Sequence, residues 1–280
     1  MKKITTLLLC LVLIAAMLCA CGGESQPETT AAPETTAAPE TTETPTEAPT
    51  KPQILTEDAL NEAIATTGMA ALDGDITLTK EVIVGSGFFD GNGHTITGPA
   101  YADGQVATEN GLTVTGGTVQ NVTVTGAYRC IGDSSSYRVK DDVRLINVTV
   151  DGDTYALNFG YGSGNTNMYV ENSTLRGWSS YAKFNEATFT NCTFGWDSTG
   201  SQGNLRPYIN TTLIGCRFEG KTEADGTVTP FGIRFKQGSD GVTLVLEDCY
   251  VGDTLITEEN MNDLLGLDLQ GNRLLVRNTN

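Results

Sequence analysis

The chain has 280 residues, a formal net charge of −17, seven cysteines and a single histidine. A surface this acidic argues against nucleic acid as a partner of the whole molecule. A single histidine, and the absence of Cys-x-x-Cys pairs after residue 53, argue against a zinc site.

The first 20 residues have the layout of a secretory signal, with two lysines followed by an apolar run from Leu7 to Leu18. That run is short for a membrane span. It ends in Leu-Cys-Ala-Cys-Gly, which resembles a bacterial lipoprotein signal. The resemblance implies that Cys21 is lipidated and becomes the mature N-terminus. The alternative is an ordinary secretory signal with an incidental cysteine.

Residues 21–53 are rich in Thr, Pro, Glu and Ala, with ETTAAP repeated from Glu28 to Pro39. Such a segment cannot recover its chain entropy by burying apolar surface, so we predict a disordered tether. Held extended by proline and like charges, it would reach up to ~90 Å from its anchor. This layout predicts a domain at 54–280, displayed on the extracellular face of the cell membrane.

Two short segments predict helices. The first begins at Thr56, an N-cap candidate, and carries an apolar stripe of Leu60, Ala63 and Ile64. We expect it to cover the N-terminal end of the domain, where an uncovered strand edge would recruit other chains. The second spans Thr257–Leu265, with Thr257 as its predicted cap.

One phrase recurs along the domain: apolar, any residue, Asn, small, Thr, apolar. Its copies are VQNVTV at 119–124, LINVTV at 145–150, VENSTL at 170–175 and FTNCTF at 189–194, with weaker copies at 213–218, 246–251 and 276–280. The central position of each copy, called the anchor here, is occupied in turn by Asn121, Asn147, Asn172, Asn191, Gly215, Asp248 and Asn278. Repeats of this kind predict a solenoid in which each copy is one coil.

Apolar residues alternate with polar ones on both sides of each anchor, which indicates strands with one face inward. The anchor interrupts that alternation, so we predict a corner between two strands, with the anchor side chain buried by its neighbours. Asn tolerates left-handed dihedrals, and Gly215 supplies them without a side chain. One inward column contains Cys192, Cys216 and Cys249. Two of them could form a disulfide, or all three could be free buried thiols.

Anchors lie 19 to 33 residues apart, long enough for about three short strands in each coil. The pattern resembles the right-handed parallel β-helix of the pectin-lyase-like superfamily, and FDGNGHTITG at 89–98 resembles the opening coil of such proteins. The resemblance covers residues 73–280. It implies an all-β, right-handed parallel β-helix with an N-terminal capping helix, but no single activity, because the superfamily includes lyases, hydrolases, esterases and binding proteins.

A second phrase follows the anchors and predicts the third strand of each coil. Its middle residues form an expected outward row of Asn158, Lys183, Tyr208, Arg234 and Asp268. Two residues further on, a second row includes Lys236. In the resembled superfamily the corresponding sheet often lines a polysaccharide groove, so these residues are the predicted binding site. Cations and an aromatic ring on an acidic body suit a uronate or sulfated glycan, although the row is equally well an ordinary solvated face.

The catalytic alternative is a polysaccharide lyase, with Lys183 or Arg234 as the base, Tyr208 as the acid and Lys236 neutralising a uronate. Glycoside hydrolysis needs two carboxylates, and only Asp268 is acidic in the row. No metal site or cofactor is predicted, although the Asp-Gly-Asp turns at 73–75 and 151–153 leave Ca²⁺ open. We therefore predict a lipid-anchored, non-catalytic binder of extracellular or cell-wall glycan. A structural or adhesive surface repeat is the third alternative.

Overall fold

The computed structural model describes residues 54–101, 109–236 and 241–279. The predicted signal, the tether and Cys21 lie outside this range. Among the described residues, no helix combines the length and the apolar character needed to cross a membrane.

The described chain forms two helices and a long series of short strands. The helices are α1 (Glu57–Thr67) and α2 (Met261–Leu264). The strands are, in chain order, β1 (Met69–Ala71), β2 (Ile76–Thr77), β3 (Val82–Val84), β4 (Phe88–Asp90), β5 (Thr95–Thr97), β6 (Asn110–Val114), β7 (Gly117–Gln120), β8 (Thr123–Thr125), β9 (Arg129–Gly132), β10 (Val143–Ile146), β11 (Thr149–Phe159), β12 (Asn167–Glu171), β13 (Thr174–Tyr181), β14 (Glu186–Thr190), β15 (Thr193–Gly195), β16 (Asn204–Pro207), β17 (Thr211–Ile214), β18 (Arg217–Phe218), β19 (Lys221–Thr222), β20 (Val228–Thr229), β21 (Gly232–Arg234), β22 (Thr243–Glu247), β23 (Tyr250–Val251), β24 (Thr254–Leu255), β25 (Gly266–Asp268) and β26 (Arg273–Arg277).

These strands build three faces of a solenoid. The first face is a nine-stranded parallel sheet in the order β1-β4-β7-β10-β12-β14-β17-β22-β26. The second and third faces belong to one larger sheet, because β11 and β13 continue from one face to the other. The third face runs β3-β6-β9-β11-β13-β16-β21-β25. The predicted all-β solenoid of parallel strands with an N-terminal helix is confirmed.

The predicted inward column of the first face pairs in register from coil to coil. The paired residues are Val119, Leu145, Val170, Phe189, Leu213, Leu246 and Val276. All but Val276 are fully buried. The repeat phrase therefore marks the same structural position in every coil, and its apolar residues form one continuous core.

The anchors are corners, as predicted. Asn121, Asn147, Asn172 and Asn191 have φ values of 50–54°, and Gly215 and Asp248 have 62° and 50°. Asn278 departs from the pattern, because its φ is not positive. The expected burial of the corner side chains is wrong: Asn147, Asn172 and Asn191 are exposed. The corner turns the backbone inward before and after the anchor, which leaves the side chain itself at the surface.

Buried cysteines and aromatic rings fill the inside of the corners and coils. Cys192, Cys216 and Cys249 are buried free thiols, which decides between the two alternatives for this column. Deeper in the core, the rings of Phe194 and Phe218 stack with centroids 5.5 Å apart. Close packing of such rings contributes beyond the apolar area that they remove from water.

The N-terminal helix matches its prediction and the second helix is shorter than expected. Thr56 Oγ1 accepts a hydrogen bond from the Ala59 N–H at 3.2 Å, and Leu60 is fully buried. The predicted helix at Thr257–Leu265 begins only at Met261, after a turn. In that turn Asn260 Oδ1 accepts the Thr257 N–H at 2.8 Å. This bond offers the backbone an alternative to a helical start at Thr257.

Candidate functional site

Strand pairing on the third face defines a different outward row from the predicted one. Asn158 pairs with Ser180, and Ser180 pairs with Arg206. Leu205 pairs with Ile233, so the residues that follow them, Arg206 and Arg234, lie at equivalent positions on neighbouring strands. Arg234 in turn pairs with Asp268. Asn158, Arg234 and Asp268 therefore occupy the predicted row, whereas Lys183 and Tyr208 do not.

Two different shifts in strand register displace Lys183 and Tyr208 from the predicted row. Asp151 pairs with Arg176, and Leu157 pairs with Ser179. The β11 segment between these pairs is therefore three residues longer than the matching segment of β13. The third strand of this coil therefore comes three residues earlier than the anchor spacing predicts, and Lys183 falls in the turn after it, with a φ of 64°. Tyr208 is displaced by two residues. A shift of two leaves inward and outward positions unchanged, so alternation cannot detect it.

Lys183 and Tyr208 nevertheless meet at a groove beside the third face, called the basic groove here. Its volume is about 620 Å³. It is lined by Asn158, Phe159, Gly160, Ser163, Gly164, Ser180, Ala182, Lys183, Phe184, Tyr208, Ile209 and Lys236. Four of the six predicted binding residues are thus brought together, while Arg234 and Asp268 lie outside the lining.

The polar side chains of the basic groove are two lysines, a tyrosine, two serines and an asparagine, with no carboxylate or histidine. The Lys236 ammonium lies 5.2 Å from the centroid of the Tyr208 ring, within cation–π distance. Lys183 is exposed and extends from a left-handed turn. The groove therefore presents positive charge and hydrogen-bonding groups around one aromatic ring.

A buried carboxylate supports one wall of the basic groove. Asp133 is 1% exposed and accepts hydrogen bonds from the Gly160 N–H at 2.7 Å and the Tyr161 N–H at 2.9 Å. Burial raises the pKa of the Asp133 carboxyl. The Gly164 N–H in turn donates to the Lys183 carbonyl at 2.7 Å. These bonds fix the loop that faces Lys183, so the wall has one defined backbone path.

A line of aromatic rings and guanidinium groups, which the sequence reasoning missed, runs across the coils beside the basic groove. We call it the aromatic–arginine strip. It consists of Tyr101, Tyr128, Arg129, Tyr155, Trp178 and Arg206. Successive ring centroids are 5.6, 5.9 and 5.3 Å apart, and each pair is T-shaped.

Both arginines of the strip lie over these rings. The Arg129 guanidinium is 5.8 Å from the Tyr128 centroid and 5.9 Å from that of Tyr155. The Arg206 guanidinium is 4.9 Å from the Trp178 ring. Burial raises the pKa of the Tyr155 hydroxyl, and the two guanidinium groups act in the opposite direction. An aromatic residue near the start of the third strand recurs in three successive coils, as Tyr128, Tyr155 and Trp178, and was the sequence signal that could have revealed the strip.

Two carboxylates from a turn considered for Ca²⁺ are engaged in hydrogen bonds within the described protein. Asp153, from one of the turns considered for Ca²⁺, accepts the Tyr101 hydroxyl at 2.6 Å, and Asp151 accepts the Ser198 N–H at 3.0 Å. Across residues 54–101, 109–236 and 241–279, no three His, Cys, Asp or Glu side chains are arranged to hold a metal ion.

Comparisons of the chain with protein-family models, with curated proteins and with solved structures found no match. The groove and the strip on the third face are therefore the observations from which a function is inferred.

Proposed function

We propose that this chain is a lipid-anchored cell-surface protein whose solenoid binds an acidic extracellular polysaccharide without turning it over. The observation that carries the proposal is the basic groove, where Lys183, Lys236, Tyr208 and Asn158 converge. Concave sites with a few convergent polar groups are the usual form of ligand sites.

The chemistry of the groove favours a sugar acid. Lysine ammonium groups attract carboxylate or sulfate as compact point charges. The Tyr208 ring offers an apolar surface to a sugar ring, and Asn158 and Ser180 offer hydrogen bonds to hydroxyl groups. The net charge of −17 repels anions from most of the molecule, so a local basic site selects where an acidic chain can bind.

Binding without turnover is favoured over hydrolysis and over lyase chemistry. No carboxylate lines the groove, and a glycosidase requires a pair of them. A lyase would need Lys183 to act as a base toward a sugar proton, with Tyr208 as the acid. Lys183 is exposed in the turn after β13 and does not lie on the strand row that was expected to carry such a base.

The membrane attachment belongs to the same proposal and rests on the N-terminal sequence. Lipidation at Cys21, followed by the tether at residues 21–53, would place the solenoid beyond the membrane surface. In that position the basic groove would meet cell-wall or extracellular glycans.

Substitutions in the groove test the binding function. We expect Lys183→Gln and Lys236→Gln each to weaken polygalacturonate binding by about 1–3 kcal/mol, because each removes a charge-assisted contact. Tyr208→Ala should cost a similar amount through lost stacking. Lys80→Gln, at an exposed lysine near the first coil, is the matched control. Isothermal titration calorimetry against polygalacturonate and neutral dextran provides the measurement.

Two outcomes would contradict this assignment. Unchanged binding in the Lys183→Gln/Lys236→Gln double variant would remove the groove as the glycan site. Ultraviolet absorbance from unsaturated uronate, produced by the parent protein and lost in the Lys183→Gln variant, would replace binding by lyase activity.

A further inference from the structure

We propose that the aromatic–arginine strip is a second anion-binding subsite, which takes a carboxylate or sulfate group of the same glycan chain that occupies the basic groove. The inference rests on the proposed function for the identity of the ligand as a glycan. It assigns a role to Arg129, Arg206 and Trp178, none of which lines the groove.

Neither strip arginine has an anionic partner within the described part of the chain. Among the described residues, the arginine ion pairs are Arg176 with Glu219 at 2.9 Å and Arg217 with Asp253 at 3.4 Å. Arg129 and Arg206 form no ion pair among these residues and lie over aromatic rings instead. The chain has twice as many acidic as basic residues, so most guanidinium groups could find a carboxylate. Two half-buried guanidinium groups that lack one are available to bind an anion from a ligand.

The strip also contains buried N–H donors without acceptors in the described chain. Arg129 Nε, Arg206 Nε and Trp178 Nε1 are buried and have no hydrogen-bond acceptor among the described residues. Buried polar groups in native proteins are normally paired, so three unpaired donors on one strip call for an explanation. An anionic ligand with several acceptor oxygens would pair such donors after small movements of these side chains.

The strip differs from the other arginine cation–π pairs of the described chain. Arg144 lies 4.3 Å from the Tyr169 ring and Arg217 lies 5.0 Å from that of Tyr250. No buried nitrogen without an acceptor is found at either of these arginines. Only on the strip do cation–π contacts, unpaired guanidinium groups and buried unpaired donors coincide within the part of the chain that the structure describes.

The ring geometry argues for sugars rather than a flat ligand. Neighbouring rings from Tyr101 to Trp178 are T-shaped, with interplanar angles of 76°, 62° and 86°. No two neighbours share a plane, so the strip offers no flat platform on which a planar ring system could stack across coils. Sugar rings, which are puckered and linked by rotatable bonds, suit a surface whose orientation changes at each coil.

The strip and the groove adjoin on the same strands, which gives the ligand a path. Ser180 lines the groove and pairs with Arg206, and Asn158 lies on β11 with Tyr155. From β9, which carries Arg129, to β16, which carries Arg206, the chain takes three strand steps, or ~14 Å at the usual strand separation. An acidic glycan that runs along the solenoid axis must therefore be longer than this distance to contact both arginines.

The experiment measures binding of oligogalacturonides of graded length, with dextran sulfate and neutral dextran as comparison ligands. Arg129→Gln and Arg206→Gln are each expected to weaken binding of long oligogalacturonides by roughly tenfold, the loss of one charge-assisted contact. Oligomers shorter than ~14 Å should show little effect from losing one of the two arginines, because they cannot span both. Arg144→Gln is the matched cation–π control, and Arg206→Lys replaces Arg206→Gln where the latter unfolds.

A second readout is independent of affinity. In a Trp196→Phe background Trp178 is the remaining tryptophan. Its fluorescence should change when glycan binds to the Arg144→Gln control variant. It should not change in the Arg129→Gln/Arg206→Gln variant. If the Arg129→Gln/Arg206→Gln variant loses more affinity for dextran sulfate than for oligogalacturonide, sulfate is the recognised group. The reverse result would identify carboxylate.

The outcomes separate this inference from the proposed function. Parent-like affinity and fluorescence in the Arg129→Gln/Arg206→Gln variant overturn the second subsite, while a loss of binding in the Lys183→Gln/Lys236→Gln variant leaves the groove in place. The opposite pattern supports the strip and removes the groove. Failure of every anionic ligand to bind the parent protein overturns both.

Discussion

Single residues set the path of the chain at the corner between the first two faces. Asn147 Nδ2 donates to Asn121 Oδ1 at 2.8 Å, and Asn191 Nδ2 donates to Asn172 Oδ1 at 3.3 Å. The same residues hold left-handed backbone conformations that most side chains avoid. The corner asparagines therefore combine a local backbone role with hydrogen bonds between coils, and both act at the surface.

Substitution of Asn147 should separate these two roles. We expect Asn147→Leu to lower the free energy of unfolding by about 1–3 kcal/mol, from backbone strain at a φ of 53° and the lost side-chain bond. Asn147→Gly loses only the bond and should cost less. Thr149→Ala, at an exposed position two residues later, should be near neutral. Equal melting temperatures for all three variants would contradict the corner role.

One buried thiol, that of Cys130, gives the solenoid a stability that depends on pH. Burial raises the pKa of the Cys130 thiol from 9.0 to about 12. The unfolded chain releases this proton above its ordinary pKa, while the folded chain keeps it. The stabilisation is therefore complete below pH 9 and is lost as the pH rises toward 12.

The alkaline loss of stability tests this residue. Urea unfolding above pH 9 should show a stability that falls more steeply with pH in the parent than in Cys130→Ala. One proton accounts for a difference of up to about 1.4 kcal/mol per pH unit. The comparison uses slopes, because the substitution also leaves a small cavity that lowers stability at every pH. Identical slopes would show that Cys130 titrates normally in the folded protein.

At the scale of the elements, stacked inward columns hold the coils together. Phe194 lies 5.3 Å from Phe189, 5.5 Å from Phe218 and 6.2 Å from Phe231, measured between ring centroids. It belongs to β15, a strand of only three residues whose backbone pairs on both sides. Side-chain packing, more than strand length, therefore stabilises this coil.

Removal of the Phe194 ring should destabilise the whole solenoid. We expect Phe194→Ala to lower the free energy of unfolding by about 3–5 kcal/mol, because it opens a cavity among fully buried rings. Phe88→Ala is the control, since Phe88 is 39% exposed and should cost much less. Denaturant unfolding followed by circular dichroism measures both. A loss below about 1 kcal/mol for Phe194→Ala would mean that neighbouring rings collapse into the space.

Across the whole molecule, the solenoid is quasi-one-dimensional, because each coil contacts its neighbours along the stack. Helix α1 packs against β1 and β3 at the N-terminal end, with Leu60 fully buried. The long third face therefore lies on a continuous packed core, which suits recognition of an extended chain.

The proposed anchoring makes a prediction at this scale. Cys21→Ala should release the protein into the medium, because a single lipidated cysteine would hold the chain on the membrane. Cys19→Ala should leave it in the membrane fraction. Cell fractionation with immunoblotting distinguishes the two, and a Cys21→Ala variant that stays with the membrane would contradict lipidation at this residue.

The sequence alone was sufficient for the architecture. The anchors Asn121, Asn147, Asn172 and Asn191 and the apolar columns beside them recur in four successive coils, and the repeat determines the corner, the inward faces and the pairing of the first face. It also identified the Thr56 cap. These features follow from local rules: alternation of two, and a residue that tolerates a left-handed corner.

Tertiary structure alone decided the third face. The path through the bend in β11 and β13, where Gly177 has a φ of 110°, changes the number of residues per coil. Spacing from the anchor therefore placed Lys183 on the wrong strand position, and a separate two-residue slip did the same for Tyr208. The fold still brings both to the basic groove. The aromatic–arginine strip was missed because its members lie far apart in the chain. They meet only when the coils stack, which brings the ring centroids of Tyr128, Tyr155 and Trp178 to 5.9 and 5.3 Å from one another and places Arg206 over the Trp178 ring.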